Sequence, residues 1–395
     1  MPAPDSNLAP WPFYAADEVD AAAAVLRSGR VNYWTGDEGK AFEAEYAAHC
    51  NVRHGLAVAN GTVALELALY GLGIGPGDEV IVPARTFIAT AAAVALRGAK
   101  PVVADIDPLS QNLTVETIAG ALSPRTKAVI VVHLAGWPAD MTSLTAFSAA
   151  LGFKIIEDCA QAHGASHYNR PVGGIGHIGC FSFCQDKIIS TAGEGGMVVT
   201  NDPALYKRMW AFRDHGKDFD RTLAVTANTA PQFRWLADSF GSNMRLTEIQ
   251  SAIGRLQLAK LPQWIAQRRA NADILTETLT ALSAVKVPQP PAQAVHAYYK
   301  HYALIDPAAL KSDWSRDRIC AELKHRGVPV GTGACPDISK EAAFAAAGYG
   351  AQPEHPHADA IVGKTLMLPV HPTLTAANMT FLAETTRQVI ADATR

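Results

Sequence analysis

Lys187 lies in a polar turn that follows the apolar run Gly179-Phe183, and this run also presents Ser182 just before the turn. A lysine held partly desolvated beside an aldehyde loses its proton and attacks the carbonyl carbon. A lysine taken alone is far more often a solvated surface charge. Its chemistry therefore depends on which other groups the fold brings next to it.

A second candidate is the turn Asn60-Gly61-Thr62, which connects a predicted strand to a predicted helix. A glycine turn at a helix N-terminus directs free backbone N–H groups and the positive end of the helix dipole at an anion, and the Thr62 hydroxyl adds a donor. The alternative is an ordinary helix cap, for which Asn and Thr are common. As a ligand site, the turn predicts phosphate binding.

A third candidate is Asp158, at the end of the apolar run that begins at Ile155. A carboxylate at the end of a strand can pair with a protonated ring nitrogen, and the amide of Gln161 can reach the same ligand. The alternative is a carboxylate that only caps the following helix.

Phe87 and Asn243 complete the set of candidates. Phe87 follows another predicted strand and can stack on an aromatic ring, with a place in the core as the alternative. Asn243 lies in a turn before a helix, where Thr247 as a helix cap is the alternative explanation. Pyridoxal 5'-phosphate (PLP) requires an aldehyde partner, a carboxylate for its ring nitrogen, phosphate donors and an apolar plate. The segments together therefore predict PLP as the cofactor.

Apolar runs that alternate with helical patterns between residues 55 and 200 would position these side chains. Strands buried on both faces and separated by helices, such as Thr62-Tyr70 and Thr90-Arg97, indicate a mostly parallel sheet in a doubly wound α/β domain. In such a domain the chemistry is found at the carboxyl ends of the strands. The predicted strands are Gly55-Ala59, Glu79-Pro83, Pro101-Asp105, Ala128-His133, Lys154-Glu157, Gly179-Phe183 and Gly196-Thr200.

The pattern becomes helical from Glu248 to about Leu282, and a Pro-rich stretch follows. We therefore predict a large domain over residues 1–262, which includes an N-terminal segment, and a smaller C-terminal α/β domain over residues 263–395. Within the smaller domain, the predicted strands are Ala297-Ile305 and Gly327-Val330, and the predicted helices are Arg316-His325 and Ala376-Thr394.

The composition argues against several partners and sites. A net charge of −3 provides no basic field for nucleic acid or an anionic membrane. Met1 to Pro12 has no signal-peptide pattern, and no apolar run approaches the roughly 18 residues of a membrane span, so we expect a cytoplasmic protein. The six cysteines are scattered like free thiols, and the histidines lack metal-site spacing, so we expect no metal.

Taken in order, these segments resemble the DegT/DnrJ/EryC1/StrS family of PLP-dependent sugar aminotransferases, which have the aspartate aminotransferase-like fold (fold type I). The resemblance extends from Trp11 to about Ile390 and implies a large domain whose mostly parallel seven-stranded sheet is sandwiched by helices. The motifs that carry it are Ala59-Leu65, Gly75-Val80, Glu157-Ala165, Phe181-Phe183 with Lys187, Gly193-Gly196 and Asn243-Leu246.

The resemblance implies a role for each matching residue. Lys187 would form a Schiff base with PLP and transfer protons, Asp158 would contact the pyridine nitrogen, and Gln161 the ring's 3-hydroxyl. The residue that matches Asn243 reaches the phosphate of the neighbouring subunit's PLP, which implies a homodimer. The remaining cofactor contacts would be the turn with Asn60, Gly61 and Thr62, together with Ser182, at the phosphate, and Phe87 stacked on the ring.

By the same resemblance, we expect transfer of an amino group from glutamate to a nucleotide-linked keto-sugar, for a surface polysaccharide such as an O-antigen or for a secondary metabolite. A cyclitol or another ring ketone as the acceptor is an alternative. A non-catalytic PLP-binding or sensory protein is an alternative of another class. A dinucleotide-dependent oxidoreductase is disfavoured, because the first βα turn lacks Gly-x-Gly-x-x-Gly.

The sequence gives the least information about the residues that bind the amino acceptor. Family members often carry a Tyr-x-Pro-Leu-His-like stretch in the small domain, whereas this chain has Val330-Asp337, so sugar contacts do not transfer from the resemblance. Tyr33, Trp34 and His301 are the candidate lining residues, with core packing or surface placement as the alternative for each.

Overall fold

The computed structural model describes residues 8–227, 236–350 and 352–395, and the first seven residues of the predicted N-terminal segment lie outside this part. The first half of the chain contains α1 (Ala16–Ser28), α2 (Glu38–His49), β1 (His54–Val58), α3 (Gly61–Gly71), β2 (Glu79–Pro83), α4 (Ala89–Leu96), β3 (Lys100–Ala104), α5 (Val115–Ala119), β4 (Thr126–Val132), α6 (Met141–Leu151), β5 (Lys154–Asp158), β6 (Ser166–His167), β7 (Arg170–Pro171), β8 (Ile178–Ser182), β9 (Gly196–Thr200), α7 (Pro203–Arg213) and α8 (Phe219–Ala227). The second half contains α9 (Glu248–Thr280), β10 (Val285–Lys286), β11 (Ala294–Val295), β12 (His301–Ile305), α10 (Arg316–His325), α11 (Ala342–Ala346), α12 (Pro356–Ala360), β13 (Thr365–Leu368) and α13 (Ala376–Ala393).

Seven strands form the central sheet in the order β1-β9-β8-β5-β4-β2-β3. The pairs from β8 to β3 are parallel, whereas β9 runs antiparallel to both β1 and β8. Each of the seven runs predicted from the sequence overlaps one of these strands, so the mostly parallel seven-stranded sheet is confirmed.

Successive residues of the central strands face opposite helical layers. Val80 and Val82 belong to one core cluster with residues of α3, α4 and α7, whereas Ile81 packs with residues of α5 and α6. In β5, Ile156 belongs to the first of these clusters and Ile155 to the second. Since side chains alternate along a strand, burial on both faces requires the near-continuous apolar runs seen in the sequence.

Helix α9 connects two hydrophobic cores. Thr247 is its N-cap, and Gln250 completes a capping box. Leu261 packs in a cluster with sheet residues, whereas Leu275 packs with β12, β13 and α13. The division at residues 262/263 falls within this continuous helix and remains a prediction. Ile338 and Phe344 pack back onto the core beside α3 and α4, so the C-terminal region contacts the large sheet.

The strand predicted at Gly327-Val330 is wrong. Gly327 has φ +82° and ends α10, with Val328 donating its N–H to the carbonyl of Leu323. Glycine adopts this left-handed conformation readily, and the turn pairs carbonyls at the helix end. The C-terminal sheet is instead formed by β10, β12 and β13, all antiparallel. The predicted helices Arg316-His325 and Ala376-Thr394 are confirmed as α10 and α13.

A short third sheet has the order β11-β6-β7, with β6 pairing antiparallel to both neighbours. In the three described ranges, every helix is too short or too polar to cross a bilayer.

Candidate active site

A cleft of about 690 Å³ opens at the carboxyl ends of the parallel strands. Residues that follow β2, β5 and β8 line one side, and Tyr302, Gly333 and Met367 of the C-terminal region line the other. The cleft collects Lys187 and the predicted partners Asn60, Gly61, Thr62, Phe87, Asp158, Gln161 and Ser182.

The N-terminus of α3 and Ser182 form one end of the cleft. The Asn60 side chain accepts the N–H of Val63 at 2.9 Å, so Asn60 is the helix cap, and the N–H groups of Gly61 and Thr62 remain at the helix end. A Cβ on Gly61 would lie 2.6 Å from Ser182 Cβ, so only glycine allows this approach. Backbone N–H groups, the helix dipole and two hydroxyls thus form an anion site.

Asp158 is a buried carboxylate, and no cation among the described residues forms an ion pair with it. Its Oδ2 accepts from Thr90 Oγ1 at 3.1 Å and its Oδ1 from the N–H of Ala160 at 3.2 Å. Burial raises the pKa of Asp158, and these hydrogen bonds together with the charge of Lys187 oppose that rise only in part. A cationic ring nitrogen in the cleft would supply the charge that this carboxylate lacks.

Lys187 lies in the cleft rather than on the open surface. Its side chain is 18% exposed, and its Nζ lies 3.8 Å from Asp186 Oδ1 and 4.8 Å from the centre of the Tyr299 ring. The N-terminal segment fixes the backbone here, because Trp11 Nε1 donates to the carbonyl of Lys187 at 3.0 Å. The amine is therefore available to a ligand in the cleft.

Gln161 and Phe87 occupy the walls between these groups. Gln161 Oε1 accepts the N–H of Ala135 at 2.7 Å, which orients the amide and leaves its NH₂ group as a donor. Phe87 is 67% exposed, so it is not part of the core. With an amine, a carboxylate, an anion site and an exposed ring in one cleft, the residues present fit PLP.

Thr86, Thr90 and Tyr302 also line the cleft and were not predicted from the sequence. Thr86 and Thr90 share a hydrogen bond of 3.0 Å, and Thr90 continues this hydroxyl chain to Asp158. Two hydroxyls four residues apart, directly after a strand that ends at the cleft, were the available signal.

His301 does not line this cleft, contrary to the sequence-based expectation. It is 1% exposed, its Nε2 lies 3.0 Å from Thr276 Oγ1, and it borders a small cavity with Trp137. Tyr302, the next residue of β12, lines the cleft and also borders the small cavity.

Tyr33 and Trp34 also lie outside the cleft of their own chain. The Tyr33 hydroxyl donates to Glu43 at 2.9 Å, and Trp34 Nε1 donates to Asp214 at 2.6 Å. Their polar atoms therefore serve two ion pairs, Arg213 with Glu43 and Arg245 with Asp214.

Asn243 is exposed and absent from the lining of this cleft. Its backbone forms a bridge with Asp214, and Thr247, four residues later, caps α9. A contact with PLP would therefore have to be made in another subunit.

The atoms of His133, Glu157 and Cys159 lie within 4.8 Å of one another, close enough to be examined as a metal site. His133 Nε2 lies 3.0 Å from Glu157, and His133 Nδ1 accepts the N–H of Ala139. Glu157 also accepts N–H groups of Gly173, Ile175 and Gly176. Because hydrogen bonds occupy both nitrogens of the imidazole and the carboxylate, the group is a hydrogen-bonded support for β5.

A second concavity of about 810 Å³ lies between α1, α2 and α9. Arg255 in its wall is paired with Glu38 and Glu45, each at 2.7 Å. Its charged groups thus partner one another, and the cleft around Lys187 remains the candidate active site.

Comparison with known proteins gives concordant matches. The model of the DegT/DnrJ/EryC1/StrS aminotransferase family matches residues 13–387. An aminotransferase structure from Psychrobacter cryohalolentis is 44% identical, with a TM-score of 0.94 over 98% of this chain and 99% of that one. The UDP-N-acetyl-3-dehydro-alpha-D-glucosamine 3-aminotransferase of Acidithiobacillus ferrooxidans is 37% identical over 90% of this chain and 89% of its own length. The 3-amino-5-hydroxybenzoate synthase of Amycolatopsis mediterranei is 42% identical over 71% of this chain and 69% of its own length.

Proposed function

This chain belongs to the DegT/DnrJ/EryC1/StrS aminotransferase family, and from that premise we propose that it transfers the amino group of glutamate to a nucleotide-linked keto-sugar. It is a PLP-dependent aminotransferase with the aspartate aminotransferase-like fold. The observation that carries the proposal is the single cleft that holds Lys187, Asp158 and the Gly61–Ser182 anion site.

The relative from Acidithiobacillus ferrooxidans supports the sugar acceptor, because its name describes amination of a UDP-linked keto-sugar and it aligns over 90% of this chain. The product would be an aminodeoxy sugar, made in the cytoplasm for a surface polysaccharide such as an O-antigen or for a secondary metabolite.

When bound, PLP supplies a conjugated ring that delocalises the negative charge left on a substrate carbon after proton loss. In this proposal Lys187 Nζ would hold the cofactor covalently, and as a free amine it would take the proton from the donor's α-carbon and return one later. Asp158 holds negative charge against the ring nitrogen, and Gln161 donates to the ring hydroxyl. Asn60 orders the turn in which Gly61 and Thr62, with Ser182, hold the phosphate, while Phe87 covers the ring.

We also propose a homodimer in which Asn243 completes the partner's cleft. Two observations support it: Asn243 is exposed and absent from the lining of its own cleft, and Phe240 nearby is 99% exposed. A fully exposed phenylalanine beside a polar anchor is typical of an interface patch.

A ring ketone is the second candidate acceptor. The match to the 3-amino-5-hydroxybenzoate synthase, at 42% identity over 279 residues, favours it as an alternative. A non-catalytic PLP-binding or sensory role is the alternative of another class, and bound PLP without amino transfer from any donor would establish it.

The test is a two-stage reaction with purified protein. Glutamate should change the absorbance of the PLP-loaded protein and release 2-oxoglutarate, and mass spectrometry of products from nucleotide-linked keto-sugars and inososes should identify the acceptor. K187A should abolish both stages, whereas K324A, a change on an exposed helical face, should not. Turnover by K187A, or product from inososes alone, would overturn the proposal.

A further inference from the structure

Arg85 is a buried cation that the proposed chemistry does not use. It follows β2 and is 1% exposed. Its Nη2 donates to Thr365 Oγ1 at 3.1 Å, while its Nε is buried without a hydrogen-bond partner. A buried guanidinium normally has its donors satisfied, because each unmet donor costs the free energy of its lost hydration.

No acidic side chain in the described ranges forms an ion pair with Arg85. The nearby Arg316, which donates to the Thr365 carbonyl at 2.8 Å, adds a second positive charge to the same residue. By contrast, the equally buried Arg213 is paired with Glu43. Burial lowers the pKa of Arg85, and the positive charge of Arg316 lowers it further. A structural role alone does not explain why this cation is retained.

Arg85 lies directly behind the wall of the active-site cleft. Gly333 and Tyr302 line the cleft, and a Cβ on Gly333 would lie 2.7 Å from Arg85 Nη2 and 3.0 Å from the Tyr302 hydroxyl. The guanidinium is 5.8 Å from the centre of the Tyr302 ring. Because residue 333 has no side chain, Arg85 Nη2 lies close behind the Gly333 backbone at this end of the cleft. The anion site at Gly61 and Ser182 is formed by other elements.

We infer that Arg85 binds a carboxylate of a substrate at the end of the cleft bounded by Gly333 and Tyr302, a role that rests on the proposed aminotransferase reaction. A planar guanidinium whose Nε has no partner, and whose Nη2 makes one hydrogen bond, can bind a carboxylate in two parallel N–H···O bonds. Such a carboxylate belongs either to the amino donor or to an acidic acceptor. Both would bind the guanidinium through the same pair of hydrogen bonds. Binding supplies the negative charge that the site lacks and positions the substrate relative to Lys187.

Equilibrium titration calorimetry with unreactive probes tests this role independently of turnover. Glutarate represents the donor, UDP-glucuronate represents an acidic acceptor, and UDP-glucose is the matched neutral sugar. R85Q removes the charge, R85K retains it, and T365V removes the hydroxyl partner but leaves the cation. All four proteins, wild type included, are measured with and without PLP.

We expect R85Q to weaken the binding of one carboxylate probe about 10- to 100-fold, the range for a lost charge-assisted hydrogen bond. R85K should recover part of the loss, and UDP-glucose binding and T365V should stay within about twofold of wild type. The probe that is affected identifies the source of the carboxylate. The thermal midpoint of R85Q should not fall, because an unpaired buried cation does not stabilise the fold.

Unchanged binding of both probes by R85Q, equal losses in R85Q and T365V, or no probe binding by the wild type would overturn the inference. If R85Q does not fold, the comparison is made between R85K and T365V. Weaker binding of a carboxylate probe by folded R85K than by T365V supports the inference, and equal binding by the two variants refutes it. Glutamate-dependent release of 2-oxoglutarate by the wild type is measured separately. Its absence would refute the proposed function without altering the comparison of glutarate binding.

Discussion

At the scale of single residues, Lys187 and Asp158 have different requirements. Lys187 needs a free amine, and its nearest carboxylate oxygen is 3.8 Å away on Asp186. Asp158 must stay ionised although it is buried, and burial raises its pKa. A cationic ring nitrogen beside Asp158 would reverse that shift by direct charge pairing.

Asp158→Asn should therefore retain the shape of the site and lose its charge. We expect kcat to fall on the order of 100-fold, as for other preorganised charges at a reacting centre, while PLP still binds. Steady-state kinetics with absorbance-monitored PLP loading would measure both effects. Asp140→Asn is the matched control, since Asp140 caps α6 outside the cleft and Asn is an equivalent cap. Wild-type kcat in Asp158→Asn would contradict this role.

The structure gathers Gly61, Asp158 and Lys187 in one cleft, and their roles stay predictions. Residue-level prediction selected them because a motif joined each strand end to a chemical group. It missed Thr90, because its contact with Asp158 joins residues 68 positions apart. It selected His301 over Tyr302, because the sequence of a short strand does not reveal which face meets the cleft.

At the scale of elements, the helix α3 and the strand β8 form the proposed phosphate site by close approach. The contact depends on glycine, since a Cβ on Gly61 would lie 2.6 Å from Ser182 Cβ. The strands were predictable because burial on both faces leaves continuous apolar runs. The turn at Gly327 was not predictable in this way. Val328 and Val330 are buried like strand residues but do not belong to a strand.

Gly61→Ala should separate α3 from Ser182 and weaken PLP binding at least about tenfold, as expected for a displaced set of charge-assisted hydrogen bonds. Fluorescence titration of the PLP-free protein would measure the dissociation constant. Gly120→Ala is the control, because a Cβ there meets its nearest neighbours at an ordinary 3.7 Å and 3.8 Å. Equal affinities for the two variants would argue against a phosphate site at this turn.

At the scale of the whole molecule, α9 joins the core beneath the large sheet to the C-terminal core. The division into two domains was inferred from composition, whereas the packing of Ile338 and Phe344 against the large-domain core joins distant parts of the chain. Such contacts leave no local pattern in one sequence, so they could not be predicted.

The homodimer proposal can be tested by mixing two inactive variants, K187A and N243A. If Asn243 acts in the partner's cleft, one site of each hybrid dimer has both residues intact. Random subunit exchange should then restore about a quarter of wild-type activity. Each variant alone after the same exchange treatment is the control. No recovery, despite hybrid formation verified by native mass spectrometry, would exclude the shared site.

Buried histidines should make the fold sensitive to acid. Burial lowers the pKa of His163 and His296 to about 3 and of His301 to about 4, against an ordinary value of 6.5. Below pH 6.5 the unfolded chain binds protons that the folded chain does not. The free energy of unfolding should therefore fall as the pH falls from 6.5 towards 4, by up to about 1.4 kcal/mol per pH unit for each histidine.

Urea unfolding at a series of pH values would measure this slope. His301→Gln should reduce it by the contribution of one proton, and His325→Gln, at an exposed position, should leave it unchanged. A free energy of unfolding that is constant between pH 6.5 and 4.5 would contradict the assignment of neutral buried histidines.

The central claim is that Lys187 forms the covalent link to PLP, and a second lysine makes the test discriminating. Lys300 also lies near Tyr299, with its Nζ 5.0 Å from the ring centre, and burial lowers its pKa to about 8. The PLP-loaded protein should be reduced with borohydride, digested and mapped by mass spectrometry. Our account predicts a pyridoxyl-phosphate adduct on the peptide that contains Lys187. An adduct on Lys300, or none on Lys187, would contradict it.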